Sequence, residues 1–212
     1  MAEPDPSPPG TGFWLFGYGS LIWKPPPHYD ARLPGYIEGY VRRFWQASED
    51  HRGTPAAPGR VVTLIDRAHY AGLVDPHPEP ADSLVWGAAY HIPAEHDAFV
   101  REYLDIREVN GYTIQYTDFH PSPSPTPNPA PIRTLVYIGL PSNPQFVGPQ
   151  EPDALARHIL RSMGPSGENR EYLFELYAAL EGLGPESGDG HVKDLVRRAG
   201  MLEGRGREEE QD

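Results

Sequence analysis

The sequence contains no cysteine among its 212 residues. Without thiols the chain cannot build a disulfide framework, a thiolate-ligated zinc site or an iron–sulfur cluster. A cysteine nucleophile is excluded for the same reason. Any covalent mechanism would therefore need another nucleophile.

Long apolar runs are also missing. No stretch approaches the roughly 20 apolar residues of a membrane-spanning helix, and the first eleven residues are rich in proline without the basic flank of a secretory signal. We expect a cytoplasmic protein with a disordered leader at 1–11, one domain at 12–200 and a charged tail at 201–212. A chain of this length suffices for one full hydrophobic core.

Positive charge is scarce, and the formal net charge is −12. Such a chain repels nucleic acid and anionic membrane surfaces, so we predict neither as a partner. No obligate protein partner is evident either. Basic residues nevertheless cluster at 42–60, and this arginine strip consists of Arg42, Arg43, Arg52 and Arg60. Two interpretations stay open: surface decoration, or a site for a small carboxylate, which the guanidinium fork binds well.

The glycine loop at 16–23 is the most distinctive short motif. A buried strand at 13–15 runs into Gly17 and Gly19, and Ser20 and Leu21 follow. Backbone N–H groups in such a loop can approach an anionic or carbonyl oxygen closely because little side-chain bulk intervenes. An ordinary hairpin turn is the alternative. The loop fits neither G-x-G-x-x-G nor a P-loop, since position 22 is Ile and no Gly-Lys-Ser/Thr follows.

The order of predicted elements indicates an α+β fold with a curled, mostly antiparallel or mixed sheet, because strands come first, helices later, without regular alternation. A proline- and serine-rich excursion at 121–131 interrupts the strands. We predict strands at 13–15, 34–48 with a bulge, 60–65, 84–92, 112–120 and 132–139, and helices from Pro93 to about 108 and at 152–163, 171–183 and 192–199.

Glu108 is the conspicuous carboxylate. The Asn-Gly pair at 110–111 predicts a helix end, which places Glu108 in the last turn or just beyond it. The negative pole of a helix C-terminus disfavours an ionised carboxylate by about 0.3–1 kcal/mol, which makes protonation easier. A solvated ion-pair partner and a general base are both consistent with this position.

The sequence supports neither a metal site nor a serine nucleophile. The nine histidines are scattered over predicted loops and strands, without a metal-binding spacing, so we predict no metal site. Ser20 lacks the second glycine and the following helix of a nucleophile elbow, which argues against a serine hydrolase.

Several motifs in one order resemble the ChaC family of glutathione-specific γ-glutamylcyclotransferases. The resemblance spans about 13–181 and lies in FGYGSLIWK (16–24), RRFWQ (42–46), DHRGTP (50–55), PGRVVTL (58–64), YLDIRE (103–108), GY (111–112), YIG (137–139) and GPSG (164–167) with Asn169, Glu171, Tyr172 and Leu173.

The resemblance implies a small, mostly antiparallel β-barrel flanked by helices and the conversion of glutathione to 5-oxoproline and cysteinylglycine, without a cofactor. It implies that the loop Tyr18, Gly19, Ser20 and Leu21 holds the γ-glutamyl group and that Glu108 is the catalytic acid/base. Tyr172 matches a tyrosine that recurs near the site. Arg52, in the motif 50–55, is our remaining candidate for substrate binding.

The sequence departs from the family at a few places. Ala47, Ser48 and Glu49 replace a more usual Gly-Ser-Thr or Gly-Ser-Ser, and the added negative charge of Glu49 is expected to weaken substrate binding. Two other functions stay open. One is a non-catalytic regulatory or binding module on the same fold, and the other is a cyclotransferase for other γ-glutamyl peptides or amines.

Overall fold

A computed structural model describes residues 10–80, 83–107, 112–122 and 130–209. The elements follow in the order β1 (Phe13–Gly17), a 3-10 helix (Ser20–Ile22), β2 (Ala31–Ile37), β3 (Tyr40–Ser48), β4 (Gly59–Asp66), α1 (Arg67–Tyr70), β5 (Val85–Ile92), a 3-10 helix (Ala94–His96), α2 (Asp97–Arg107), β6 (Tyr112–Pro121), β7 (Ile132–Gly139), α3 (Pro152–Arg161), β8 (Met163–Gly164), β9 (Gly167–Glu168), α4 (Asn169–Glu181) and α5 (Gly190–Glu209).

Five strands close into a barrel in the order β1-β5-β2-β6-β7. Four of the five neighbouring pairs are antiparallel, and β1 meets β7 in parallel at Leu15 and Leu135. Closure removes the exposed strand edges that an open sheet would leave. The α+β class and the mostly antiparallel barrel are confirmed.

The strands β3 and β4 form a separate antiparallel hairpin beside the barrel. The sequence predicts one strand at 34–48, but the structure divides this stretch between β2 and β3. The division falls at Gly39, whose φ of +81° suits glycine because it carries no Cβ. The predicted bulge is present in β3, where the register with β4 shifts between Arg43 and Gln46.

The helices α3 and α4 pack against β4 of the hairpin and, together with α5, against one another. In α3, Leu155, Ala156 and Ile159 are buried, and Pro152 occupies the first turn, where its missing N–H costs nothing. The Glu151 carboxylate caps this helix by accepting from the N–H groups of Asp153 and Ala154.

Helix boundaries account for the main differences from the sequence prediction. α4 begins at Asn169, and α5 extends over 20 residues where eight are predicted. Part of the predicted loop at 164–169 forms the short hairpin β8–β9. Within the described residues, no helix combines the length and the apolar character needed to cross a membrane.

Candidate active site

A cavity of about 330 Å³ lies where the barrel, the β3–β4 hairpin and α4 meet. This volume is within the range of small-molecule sites. Its lining consists of Phe16, Tyr18, Gly19, Ser20, Leu21, Lys24, Ala47, Ser48, Asp50, His51, Arg52, Val61, Val62, Tyr103, Tyr112, Tyr137, Gln145, Ser166 and Tyr172. All six predicted substrate-binding residues are therefore part of one cavity wall.

The glycine loop enters the cavity at the end of β1. The Ile22 N–H donates to the Gly19 carbonyl oxygen at 2.9 Å, which closes the first turn of the 3-10 helix. The first N–H groups of a helix have no acceptor within it. The loop is thus a helical turn at a cavity wall rather than the turn of a β-hairpin, which was the alternative interpretation.

Gly19 lies too close to its neighbours for any larger residue. A Cβ built on it would be 2.8 Å from the Tyr172 hydroxyl oxygen and 3.1 Å from a Val62 methyl carbon. A Cβ at these distances would displace the loop or Tyr172. The glycine therefore allows α4 and the loop to pack together at the cavity.

Tyr172 is buried and held by two other aromatic rings. The Trp23 ring meets it at a centroid distance of 5.3 Å and the Phe44 ring at 5.8 Å, both edge-to-face. Such pairs contribute about 0.5–1.5 kcal/mol each beyond their buried area. They fix the orientation of a tyrosine that the resemblance placed near the site.

Arg52 lines the cavity, but its guanidinium is already neutralised. The Nη1 donates to the Glu171 carboxylate at 2.8 Å and to the Glu168 carbonyl oxygen at 2.7 Å, and Nη2 lies 3.6 Å from the Glu175 carboxylate. The side chain is 5% exposed. Arg52 thus joins the hairpin region to α4 and forms part of the wall.

A chain of hydrogen bonds connects the cavity to the last turn of α2. The Tyr18 hydroxyl donates to the Tyr137 carbonyl oxygen at 2.9 Å, and the Tyr137 hydroxyl donates to the Asp105 carboxylate at 3.1 Å. Asp105 lies three residues before Glu108 in the sequence. The cavity wall and the end of α2 are therefore attached to each other.

Glu108 itself lies outside the described residues. α2 ends at Arg107 and β6 begins at Tyr112. Tyr103 and Tyr112, which precede and follow Glu108 in the sequence, both line the cavity. The role of Glu108 stays a prediction.

Several lining residues were not predicted from the sequence to bind substrate. Lys24, Tyr103, Tyr112, Tyr137 and Ser166 lie within the quoted motifs, so their place in those motifs was the available signal. Gln145 lies in a loop outside all of the motifs, and no local pattern marks it. Ala47 and Ser48 line the cavity, whereas Glu49 does not, and its expected effect on binding stays a prediction.

The arginine strip is not one surface or one site. Arg43 is buried and donates to Asp75 at 2.7 Å, Glu79 at 2.8 Å and the His77 carbonyl oxygen at 2.9 Å. Burial alone would lower the Arg43 pKa, but these two carboxylates outweigh burial and raise it. Arg43 therefore fastens the segment 70–79 to β3.

The other two arginines of the strip are also structural. Arg42 is buried, donates to Asp189 at 3.1 Å and to the Trp86 carbonyl oxygen, and has its pKa lowered by burial. Arg60 donates to the carbonyl oxygen of Gly59 at 2.9 Å and does not line the cavity. Of the four, only Arg52 reaches the cavity.

Among the described side chains, no group of three or more His, Cys, Asp or Glu residues is arranged to hold a metal ion. The cavity instead combines an aromatic and aliphatic wall with polar groups on Ser20, Ser48 and His51. His51 lies 3.2 Å from the Ser166 hydroxyl through Nδ1. A mostly apolar wall with a few polar groups is typical of small-molecule sites.

The sequence of this chain is similar to a protein family and to several named relatives. A family model described as ChaC-like protein matches residues 13–201. A glutathione-specific gamma-glutamylcyclotransferase of Schizosaccharomyces pombe is 48% identical over 191 residues, covering 89% of this chain and 92% of that protein. The human glutathione-specific gamma-glutamylcyclotransferase 1 is 36% identical and covers 89% of this chain and 79% of its own length.

A solved structure shares the fold. The selenomethionine-labelled gamma-glutamylcyclotransferase specific to glutathione from yeast has a TM-score of 0.81 and 39% sequence identity to this chain. The alignment covers 90% of this chain and 96% of the yeast chain.

Proposed function

The chain belongs to the ChaC-like protein family, and we propose that it is a glutathione-specific γ-glutamylcyclotransferase. The observation that carries this function is the cavity, because the family's glycine loop and Tyr172, from distant parts of the chain, meet there with Arg52. Relatives named for this activity are 36–48% identical over most of the chain.

The reaction requires only atoms of the substrate and one proton carrier. The α-amine of the glutamyl residue attacks its own γ-carbonyl carbon, forming the five-membered 5-oxoproline ring. The amide bond to cysteine breaks, and the cysteinylglycine amine receives a proton. Well-oriented intramolecular attack can supply about 7–11 kcal/mol of barrier reduction, so holding the glutamyl group bent is the main task of the cavity.

Glu108 is our candidate for the proton carrier. The α-amine of the glutamyl group is mostly protonated at neutral pH, and it is a poor nucleophile in that form. A carboxylate would take this proton and return it to the leaving amine. Support comes from the sequence motif and from Tyr103 and Tyr112, which flank Glu108 in the sequence and line the cavity.

The glycine loop would hold the negative end of the glutamyl group. Backbone N–H groups of Gly19, Ser20 and Leu21 can donate either to the α-carboxylate or to the oxygen that becomes negative during attack. Preorganised donors of this kind are worth about 3–4 kcal/mol at an oxyanion. Tyr90 supports this conformation, since its hydroxyl donates to the Leu21 carbonyl oxygen at 2.7 Å.

Product analysis tests the function directly. The purified chain is incubated with glutathione, and 5-oxoproline, cysteinylglycine and glutamate are quantified by mass spectrometry. We expect equal amounts of 5-oxoproline and cysteinylglycine without glutamate, since water is not the nucleophile. Glutathione binding without any product would favour the non-catalytic module, and free glutamate would indicate hydrolysis instead.

A substrate panel tests the specificity. Two plant relatives are named gamma-glutamylcyclotransferase without mention of glutathione. We expect glutathione to have a higher kcat/KM than γ-glutamylcysteine, γ-glutamylalanine and γ-glutamyl amines. A higher kcat/KM for another compound of the panel would show that glutathione is not the preferred substrate. The cyclisation reaction itself would still be supported.

We further propose that the protein works in the cytoplasm on a freely diffusing substrate. Support comes from the negative net charge, which repels anionic membrane surfaces, and from a sequence without an apolar run of membrane-spanning length. Nucleic acid, a membrane and a protein partner have no part in the proposed reaction. Fractionation of cells that express the tagged chain tests the location.

A further inference from the structure

Lysine is rare in this protein, and one of its two lysines lines the cavity. The sequence contains two lysines against sixteen arginines. Lys24 is exposed and part of the cavity wall, whereas Lys193 lies on the surface with its ammonium 3.1 Å from the Glu181 carboxylate. A lysine ammonium is a mobile point charge, which suits a carboxylate that must bind and leave.

The described cavity wall contains three basic side chains, which differ in their burial and in the charges beside them. Arg52 is buried and has Glu171 and Glu175 beside its guanidinium. A carboxylate of the substrate placed there would meet two protein carboxylates as well as the cation. His51 lies next to Asp50, with its Nε2 4.0 Å from that carboxylate. Lys24 carries its charge at an exposed position of the wall, shortly after the glycine loop, where a substrate carboxylate can reach it.

Burial changes along the segment that contains Lys24. Tyr18 and Leu21 are each 7% exposed, while Lys24 is exposed. The Lys24 N–H donates to the Ser20 carbonyl oxygen at 2.8 Å, and Trp23 between them packs against Tyr172. The segment is therefore fixed, with its buried end at the proposed glutamyl site and its exposed end at the mouth.

The dimensions of the segment are compatible with those of the substrate. The 3-10 helix ends at Ile22, and the Lys24 N–H donates back to the Ser20 carbonyl oxygen, so Lys24 lies about one helical turn, roughly 5 Å, beyond Ser20. An extended cysteinylglycine unit spans about 7 Å. A glutathione molecule with its glutamyl group at the loop can thus extend its glycine carboxylate to the level of Lys24.

We propose that Lys24 binds the glycine carboxylate of glutathione and so distinguishes the tripeptide from shorter γ-glutamyl compounds. This inference rests on the proposed function and specifies its substrate recognition. Asp50 also lines the cavity, and its carboxylate disfavours a substrate carboxylate placed beside it. Lys24 takes no part in the proton transfers.

The test compares glutathione with its glycinamide, which lacks only the negative charge at the glycine end. For the wild-type protein we expect about tenfold lower kcat/KM with the amide, since charged hydrogen bonds contribute about 1.5–3 kcal/mol. Lys24→Gln should lower kcat/KM for glutathione by the same factor, through KM, and leave the amide unaffected. Lys24→Arg should keep the preference for the acid.

Lys193→Gln is the matched control, because it also removes one lysine charge but lies in a surface ion pair. Its kcat/KM values for glutathione and for the glycinamide should equal those of the wild type. An equal loss on both substrates in Lys24→Gln, or a wild-type protein that does not distinguish them, would overturn the assignment of Lys24. Absence of 5-oxoproline from both substrates with the wild-type protein would instead refute the proposed cyclotransferase activity.

Discussion

Gly19 illustrates how a single missing side chain shapes the cavity. A Cβ at this position would lie 2.8 Å from the Tyr172 hydroxyl oxygen, so only the hydrogen atom of a glycine fits there. The sequence predicts that the loop needs small residues, because two glycines stand one residue apart. It could not predict which side chain limits Gly19, since Tyr172 is far away in the sequence and only the packing of α4 brings it there.

Gly19→Ala should destabilise the fold by about 1–3 kcal/mol through overpacking. Urea unfolding measures this effect. Because the closest atom is the Tyr172 hydroxyl oxygen, adding Tyr172→Phe should recover part of the loss, and Tyr172→Phe alone is the control. A double variant whose destabilisation is simply the sum of the two single effects would argue against this contact.

Glu108→Gln should lower kcat by about 100-fold or more, because general acid–base catalysis contributes about 10²–10⁴ and an amide cannot take a proton at neutral pH. The measurement is 5-oxoproline formation under saturating glutathione. Glu102→Gln removes an exposed carboxylate of α2, six residues earlier in the sequence, and should leave turnover unchanged. Turnover within a few fold of wild type in Glu108→Gln would remove Glu108 from the mechanism.

At the scale of elements, the sequence predicts most strands because their β-branched and aromatic runs are long. The division of 34–48 into β2 and β3 is missed, since the turn at Gly39 lies within a continuous aromatic-rich stretch. Similarly, the role of Arg43 is not visible in the sequence. Its acidic partners, Asp75 and Glu79, lie in a connector without a repeating pattern, and their contacts with β3 are formed by tertiary packing.

Arg43→Met should destabilise the protein by about 3–5 kcal/mol, because Asp75 and Glu79 would lose their cation in a largely buried place. Arg133→Met is the control, since Arg133 and Asp118 are both well exposed and such pairs contribute at most about 1 kcal/mol. Chemical denaturation measures both variants. If Arg43→Met were as stable as Arg133→Met, the segment 70–79 would be held to β3 by other contacts.

The molecule as a whole should respond to mild acid through His191. This imidazole is buried, and its Nε2 accepts from the Phe44 N–H at 3.2 Å. Burial lowers its pKa well below 6.5, and the cations of Arg43 and Arg42 together with His77 lower it further. Below a pH of about 6.5 the unfolded chain therefore binds a proton that the folded chain does not.

The free energy of unfolding should accordingly fall as the pH decreases from about 6.5, by up to ~1.4 kcal/mol per pH unit from this residue. His191→Gln keeps an acceptor for the Phe44 N–H but cannot titrate, so its stability should depend less on pH over the same range. His69→Gln, at an exposed position, is the control. If the free energy of unfolding of His191→Gln fell with pH as steeply as that of the wild type, His191 would not be the cause of the acid sensitivity.

The cavity wall begins with Phe16 in β1 and ends with Tyr172 in α4, so most of the chain contributes to it. Shorter fragments would each lack one side of the wall. Glutathione turnover would then serve as a sensor of complete folding: on heating, the temperature of half-inactivation and the midpoint of the circular dichroism transition should coincide. If inactivation came several degrees earlier, the wall would have to open before the barrel unfolds.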